Sequence, residues 1–400
     1  MFKKLTLPGI GLLLLGVCLE TASCSSHAQE QNILTGACQI EKYLPRLYNK
    51  RTGLLVNHTS LVGQAHLIDT LISSGIDVCK IFTPEHGFLG KADAGAVVHD
   101  NTYGVNNISV ISLYGKKRKP EKSDLQDIDV MVFDIQDVGV RFYTYISTLH
   151  YVMEACAENA IPLIVLDRPN PNGHYVDGPV LEMEYSSFVG MHPVPVVYGM
   201  TIGEYARMIN GEGWLTDSLQ CELTVIKCQN YTHHSFYRLP VSPSPNLSTM
   251  EAIYLYPSTG LFEGTVVSEG RGTIAPFRII GHPAFPDSGF SFIPVPVQGA
   301  SLHPKLEGKV CYGIDLRGID LDTLQAWASI KLEFLLDFYH KMDMGAGFFT
   351  DYFDLLAGNG TLRSQIIAGK NPEQIEESWS SDLAAFKKIR AKYLLYPDFQ

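Results

Sequence analysis

Five short runs rich in Val, Ile and Leu, at residues 53–56, 79–82, 109–112, 130–135 and 162–166, constrain this chain more than any other feature. Strands that read as near-continuous apolar runs are buried on both faces, as happens when helices cover both sides of a parallel sheet. Residues 64–74 and 145–159 carry apolar side chains at helical spacing between those runs. The alternation predicts an α/β fold with a parallel sheet wrapped by helices. It fades after Pro169, where the run NPNGHYVDGP at residues 170–179 has turn-forming composition. Thr201 and Glu204 then form a T-x-x-E capping box that opens a helix. The expected organisation is one domain over residues 38–198 and a second, α/β or α+β, over residues 199–400, with helical stretches near 324–339 and 380–392.

The first residues stand apart. Lys3 and Lys4 precede an apolar run from Leu5 to Leu19, and small residues follow to Ala28. This pattern predicts a secretory signal peptide over residues 1–28, since the run falls short of the roughly 20 residues a spanning helix needs. Ser26-His27-Ala28 has the form of an ordinary release site; Ala22-Ser23-Cys24 resembles the end of a lipobox, although Thr21 fits that pattern poorly. The expected location is therefore outside the cytoplasm, either periplasmic or tethered to a membrane through a lipidated Cys24. Six cysteines remain beyond the leader, without a C-x-x-C pair, and are expected to be structural rather than zinc ligands.

With 42 acidic and 31 basic side chains the chain carries a net charge of −11, and only 18% of its residues are charged against 46% hydrophobic. Disorder is excluded by that balance. Nucleic acid is not an expected partner, because neutralising phosphates takes clustered Lys and Arg.

Polar clusters follow four of the five runs: Asn57-His58-Thr59-Ser60, Thr83-Pro84-Glu85-His86-Gly87, Asp134-Ile135-Gln136-Asp137, and Asp167-Arg168-Pro169-Asn170. Ligands of open parallel sheets bind beyond the carboxyl ends of the strands, so the four clusters are expected to meet at one pocket. Turns also favour Asn, Asp, Ser and Thr, but Glu, His and Arg among them favour a site. Glu85, on a proline-stiffened corner among Phe82, Phe88 and Leu89, is placed for general acid or base work, which needs a carboxyl pKa tuned by its surroundings. Asp134 and Asp137 precede Arg141 and Tyr143; an Arg141 pairing would make one aspartate structural, whereas the two carboxylates with His58 and His86 could hold a divalent metal. Asn246 lies in an SPSPN loop. Glu269 and Arg271 lie in the glycine-flanked VVSEGRGT, and Tyr254, Tyr256 and Phe262 offer faces on which a sugar could stack, though such aromatics are more often core. The absence of G-x-G-x-x-G, a Walker loop and G-x-S-x-G removes support for nucleotide cofactors and the usual serine-hydrolase elbow; no cofactor is expected.

The runs TPEHG, DIQDVGVRFYTY, LDRPNPNG, SPSPN and SEGRGT together resemble the bacterial exo-β-N-acetylmuramidases of the NamZ type, over residues 38–400. The resemblance implies a Rossmann-like domain and a smaller C-terminal domain with the active site in the cleft between them. It also implies release of N-acetylmuramic acid from the non-reducing end of peptidoglycan saccharides or muropeptides, with Glu85 as the catalytic carboxylate. Two carboxyl groups commonly flank a scissile glycosidic bond; the second is open between Glu269, Asp134 and Asp137, or is replaced by the substrate's own acetamido oxygen. Arg141, Arg168 and Arg271 are candidates for the lactyl carboxylate, and Asn57, His58, His86, Tyr143, Asp167, Asn170 and Asn246 for other sugar contacts. Two alternatives stand beside this: a metal-dependent hydrolase of phosphate or amide bonds, and an exported binding protein for muropeptides or sugars.

Overall fold

A computed structural model of the chain describes residues 1, 32–85, 87–88, 101–104 and 107–399. The leader, Cys24 and His86 lie outside the described residues. Seven strands form the main sheet: β1 (Arg51–Val56), β2 (Asp77–Thr83), β3 (Asn101–Tyr103), β4 (Ile108–Ser112), β5 (Val130–Asp134), β6 (Leu163–Leu166) and β7 (Leu223–Ile226). Their spatial order is β3-β4-β2-β1-β5-β6-β7, all neighbours parallel except the antiparallel edge pair β3 and β4. The five apolar runs are all strands of this sheet, as expected. The segment bracketed by Cys221 and Cys228 supplies β7, so the sheet continues past residue 199, and Ile33–Gln400 make one compact unit.

The period-2 geometry of strands explains why the runs had to be apolar throughout. Leu55, Met131, Phe133, Leu163 and Val165 point to one face, where helix Tyr145–Glu158 and the C-terminal half cover them. Leu54, Val56, Val132, Ile164 and Leu166 point to the other, under Tyr43, Leu47, Ile68 and Leu71. Burying a Val, Leu or Ile side chain contributes about 1.5–3 kcal/mol, so every residue of these strands works for one face or the other.

Helix Ile202–Gly211 opens on the expected capping box of Thr201 and Glu204. The C-terminal half brings helix Met250–Thr259, a three-stranded antiparallel sheet in the order Ile279–His282, Cys311–Asp315, Ser291–Phe292, and a set of short helices. The helical pattern at 324–339 is two helices, Leu321–Ala326 and Leu332–Met342, because Ala328 turns into the left-handed region with φ 43° between them. Residues 390–399 then return to the far end of the main sheet. Arg390 donates to the Gly199 carbonyl at 2.6 and 2.9 Å, the Tyr396 hydroxyl donates to Asp167 at 2.5 Å, and the Leu395 N–H donates to Glu204 at 2.7 Å. All six cysteines from Cys38 to Cys311 are free thiols.

Candidate active site

A cavity of about 420 Å³ lies between the β2 and β5 ends of the sheet and the C-terminal half. That is within the range of small-molecule sites. Glu85 enters it from the corner after β2, where Gly87, at φ 68°, returns its N–H to the Pro84 carbonyl at 3.1 Å. Thr144, the residue before helix Tyr145–Glu158, donates its hydroxyl to Glu85 Oε2 at 3.0 Å. This bond joins the β2 corner to the segment after β5. The segment reaches Thr144 through Gly139, at φ 77°, where a Cβ would stand 2.3 Å from the Asn170 carboxamide.

From the C-terminal half come Glu263, in the turn Gly260–Gly264, and Arg271, between Gly270 at φ 83° and Gly272 at φ 78°. Arg271 donates to Glu263 Oε1 at 2.5 and 3.0 Å, lies 3.4 Å from Glu269 and sits over the Phe277 ring at 5.0 Å. Lys305 closes the row at 2.8 Å from Glu269. Two cations and two carboxylates thus face one another, and Arg271 is neutralised within the protein. Burial pushes the Glu263 carboxyl above the ordinary range, against the pull of Arg271. Burial acts the same way on Glu269, but there Lys305 and Arg271 prevail and hold it below its ordinary value.

Five of the residues singled out from sequence line this cavity: Glu85, Tyr143, Asn246, Tyr256 and Arg271. Tyr143 donates to the Pro243 carbonyl at 2.9 Å and so anchors the SPSPN loop as a wall. Asn246 uses its amide N–H on the Ala300 carbonyl at 2.9 Å, which leaves its Oδ1 buried without a partner. Tyr254 and Phe262 are core.

The other expected residues are occupied elsewhere. Asp134 is fully buried in a two-pronged pair with Arg168, Nε to Oδ1 at 2.6 Å and Nη2 to Oδ2 at 2.8 Å; the arginine partner is Arg168, not Arg141. Arg141 has no exposed surface and donates to four carbonyls, of Pro179, Val194, Leu356 and Ala357, at 2.7–2.9 Å, and burial lowers its pKa to about 9. Asp137 accepts from the Tyr198 hydroxyl and from the Gly139 N–H at 2.7 Å; burial nonetheless pushes its pKa up to about 6. Asp167 accepts from Thr201, Gly203 and Tyr396, and burial raises it to about 6 as well. Asn57 bonds Thr59 and Tyr145, Asn170 bonds the Met200 carbonyl, and His58 Nε2 lies 2.8 Å from the Ser242 carbonyl. Glu269 is 1% exposed behind Arg271. With Asp134 and Asp137 so engaged, the carboxylates of the metal-site alternative are unavailable to a cation, and no group of three His, Cys, Asp or Glu among the described residues could hold one.

Sequence reading missed Glu263, Tyr114, Arg118, Thr144, Phe188 and Tyr352, all on the cavity wall. Signals existed for two of them, since Thr144 lies in the run DIQDVGVRFYTY and Arg118 in the basic run KKRKP at residues 116–120 of an acidic chain. Glu263 carried none.

An α/β scaffold with carboxylates, one arginine pair and aromatic walls at the carboxyl ends of its strands defines a site for a small polar ring. Residues 52–251 match the family model described as exo-beta-N-acetylmuramidase NamZ, N-terminal, and residues 254–396 match its C-terminal counterpart. The chain belongs to the NamZ family. It is 40% identical to the peptidoglycan beta-N-acetylmuramidase NamZ of Bacillus subtilis strain 168, over 96% of this chain and 98% of that protein. Two crystal structures of DUF1343 family proteins from Bacteroides fragilis NCTC 9343 share the fold: one at 44% identity and TM-score 0.86, covering 92% of this chain and 100% of the other, and one at 29% and 0.74, covering 91% and 99%.

Proposed function

We propose that this chain is an exo-acting β-N-acetylmuramidase, a glycoside hydrolase that releases N-acetylmuramic acid from the non-reducing end of peptidoglycan fragments. The observation that carries the reading is Glu85: a carboxyl group on a stiff corner, held by Thr144, in a cavity walled by aromatic and polar groups, in a chain of the NamZ family. Glu85 acts as acid and base toward the leaving oxygen. Glu263, tied to Arg271, is the second carboxyl group at the cavity, a role expected of Glu269, Asp134 or Asp137 from sequence. Two carboxyls flanking the bond, or one with the substrate's own acetamido oxygen, both fit the chemistry of glycoside cleavage.

Glu85→Gln keeps shape and hydrogen bonding but removes the proton donor. It is expected to lower kcat on a chromogenic N-acetyl-β-muramide by about 10²–10⁴ with unchanged thermal unfolding; turnover like that of the native chain would sink the assignment. The leader pattern at residues 1–28 supports a reaction outside the cytoplasm, with a lipid on Cys24 tethering the enzyme if the lipobox route is used. Mass analysis of the mature N terminus decides between the two cleavage routes.

A further inference from the structure

Resting on the muramidase reading, we infer that Arg118 is the residue that recognises the lactyl carboxylate, and therefore the residue that separates muramic acid from glucosamine at the terminal position. The two sugars differ by that one ionised ether substituent, so discrimination requires a cation able to meet it. The three arginines that sequence offered for the task are already matched by partners of their own. Arg141 gives its guanidinium to four carbonyls, Arg168 to Asp134, and Arg271 to Glu263 with Glu269 behind it. Arg118 lines the same cavity as Glu85 and, among the described residues, forms no ion pair.

The loop that carries Arg118 is built to present it. Its flanking lysines are both drawn away by carboxylates: Lys117 pairs with Asp124 at 3.0 Å and with Glu121 at 3.6 Å, and Lys119 with Glu154 at 2.6 Å and Glu158 at 2.7 Å. With Lys117 and Lys119 held by carboxylates, Arg118 between them carries its charge to the cavity wall. There the guanidinium lies over the Phe188 ring, 4.3 Å from its centroid, and Phe188 in turn stacks on Tyr151 at 6.3 Å and 15°. Stacking uses the flat face of a guanidinium and leaves its edge donors free, the geometry that takes a carboxylate in a two-pronged grip.

The test measures kcat/KM for a 4-nitrophenyl N-acetyl-β-muramide and for the same compound with its lactyl acid capped as a methyl amide. The native enzyme, Arg118→Ala and Arg118→Lys are compared, with thermal unfolding as the check on folding. The native enzyme is expected to lose about 10–100-fold on capping. Arg118→Ala is expected to lose as much on the free acid and nothing further on capping, and Arg118→Lys to keep part of the discrimination through charge alone. Arg118→Ala with the native preference for acid over amide overturns the inference while leaving the muramidase reading intact. A native enzyme that hydrolyses neither compound overturns the muramidase reading, and this inference with it. If Arg118→Ala fails to fold, the same two outcomes are read from Arg118→Lys, for which native-like discrimination and native-like activity on the free acid together count against the assignment.

Discussion

Charged side chains at the ends of β5 and β6 and those that follow β2 and β4 come from the same sheet edge, yet they meet different fates. Asp134 and Arg168, like Asp167 with Thr201, Gly203 and Tyr396, close on each other in the interior. Glu85, by contrast, has the hydroxyls of Thr144 and Tyr114 beside it and open space before it, and Arg118 has an aromatic ring beneath it. A polar group on which partners close from within the fold becomes part of the frame. One that faces the C-terminal half across a gap is left for a ligand. The comparison teaches that position beyond a strand does not by itself make a site residue; what separates the two regions is whether hydrogen-bonding partners close on the group from within the fold.

The largest effect expected from breaking the closed region is on folding. Asp134→Ala strands the Arg168 guanidinium in the interior, and loss of one partner of a buried pair costs about 3–5 kcal/mol; denaturant unfolding should show that loss, and a change under 1 kcal/mol would put Asp134 in the open class. A smaller effect follows from Asp137. Its pKa of about 6 in the folded chain lies above the ordinary value near 3.9, so the folded state holds its proton more tightly. The stability this contributes is present in full below about pH 4 and is lost as pH rises through 6. Asp137→Asn removes that dependence, and from pH 4 to 7 the variant should gain on the native chain by about 2–3 kcal/mol; parallel stability curves would contradict it. In the open region the loss of a supporting hydroxyl is expected to have a kinetic effect, and the smallest of the three. Thr144→Val deletes one neutral hydroxyl donor to Glu85, a loss near 1 kcal/mol, seen as a roughly 5- to 10-fold fall in kcat with little change in unfolding; an equal fall in stability would move Thr144 to the closed class.

The frame was legible in sequence because burial on two faces leaves a trace in every residue of a strand, and because the capping box at Thr201 and Glu204 is a local device. Glu85 was legible because the corner that presents it, Pro84 to Gly87, is contiguous. The pairing of Asp134 with Arg168 was not, since 34 positions separate them and register alone brings them together. Glu263 was hidden for the same reason, as a glutamate in a short turn acquires meaning only when Arg271 folds back over it. The interruption at Ala328 was hidden because the apolar spacing continues through it.

The return of residues 390–399 to the sheet has a consequence in time. Asp167 and Glu204 leave the ribosome long before Leu395 and Tyr396, which complete their hydrogen bonding. At synthesis rates of about 5–20 residues per second, the sheet's far edge waits roughly ten to forty seconds for its last donors. Until then Asp167 and Glu204 each lack one donor, and the frame is complete only when its distal strap arrives.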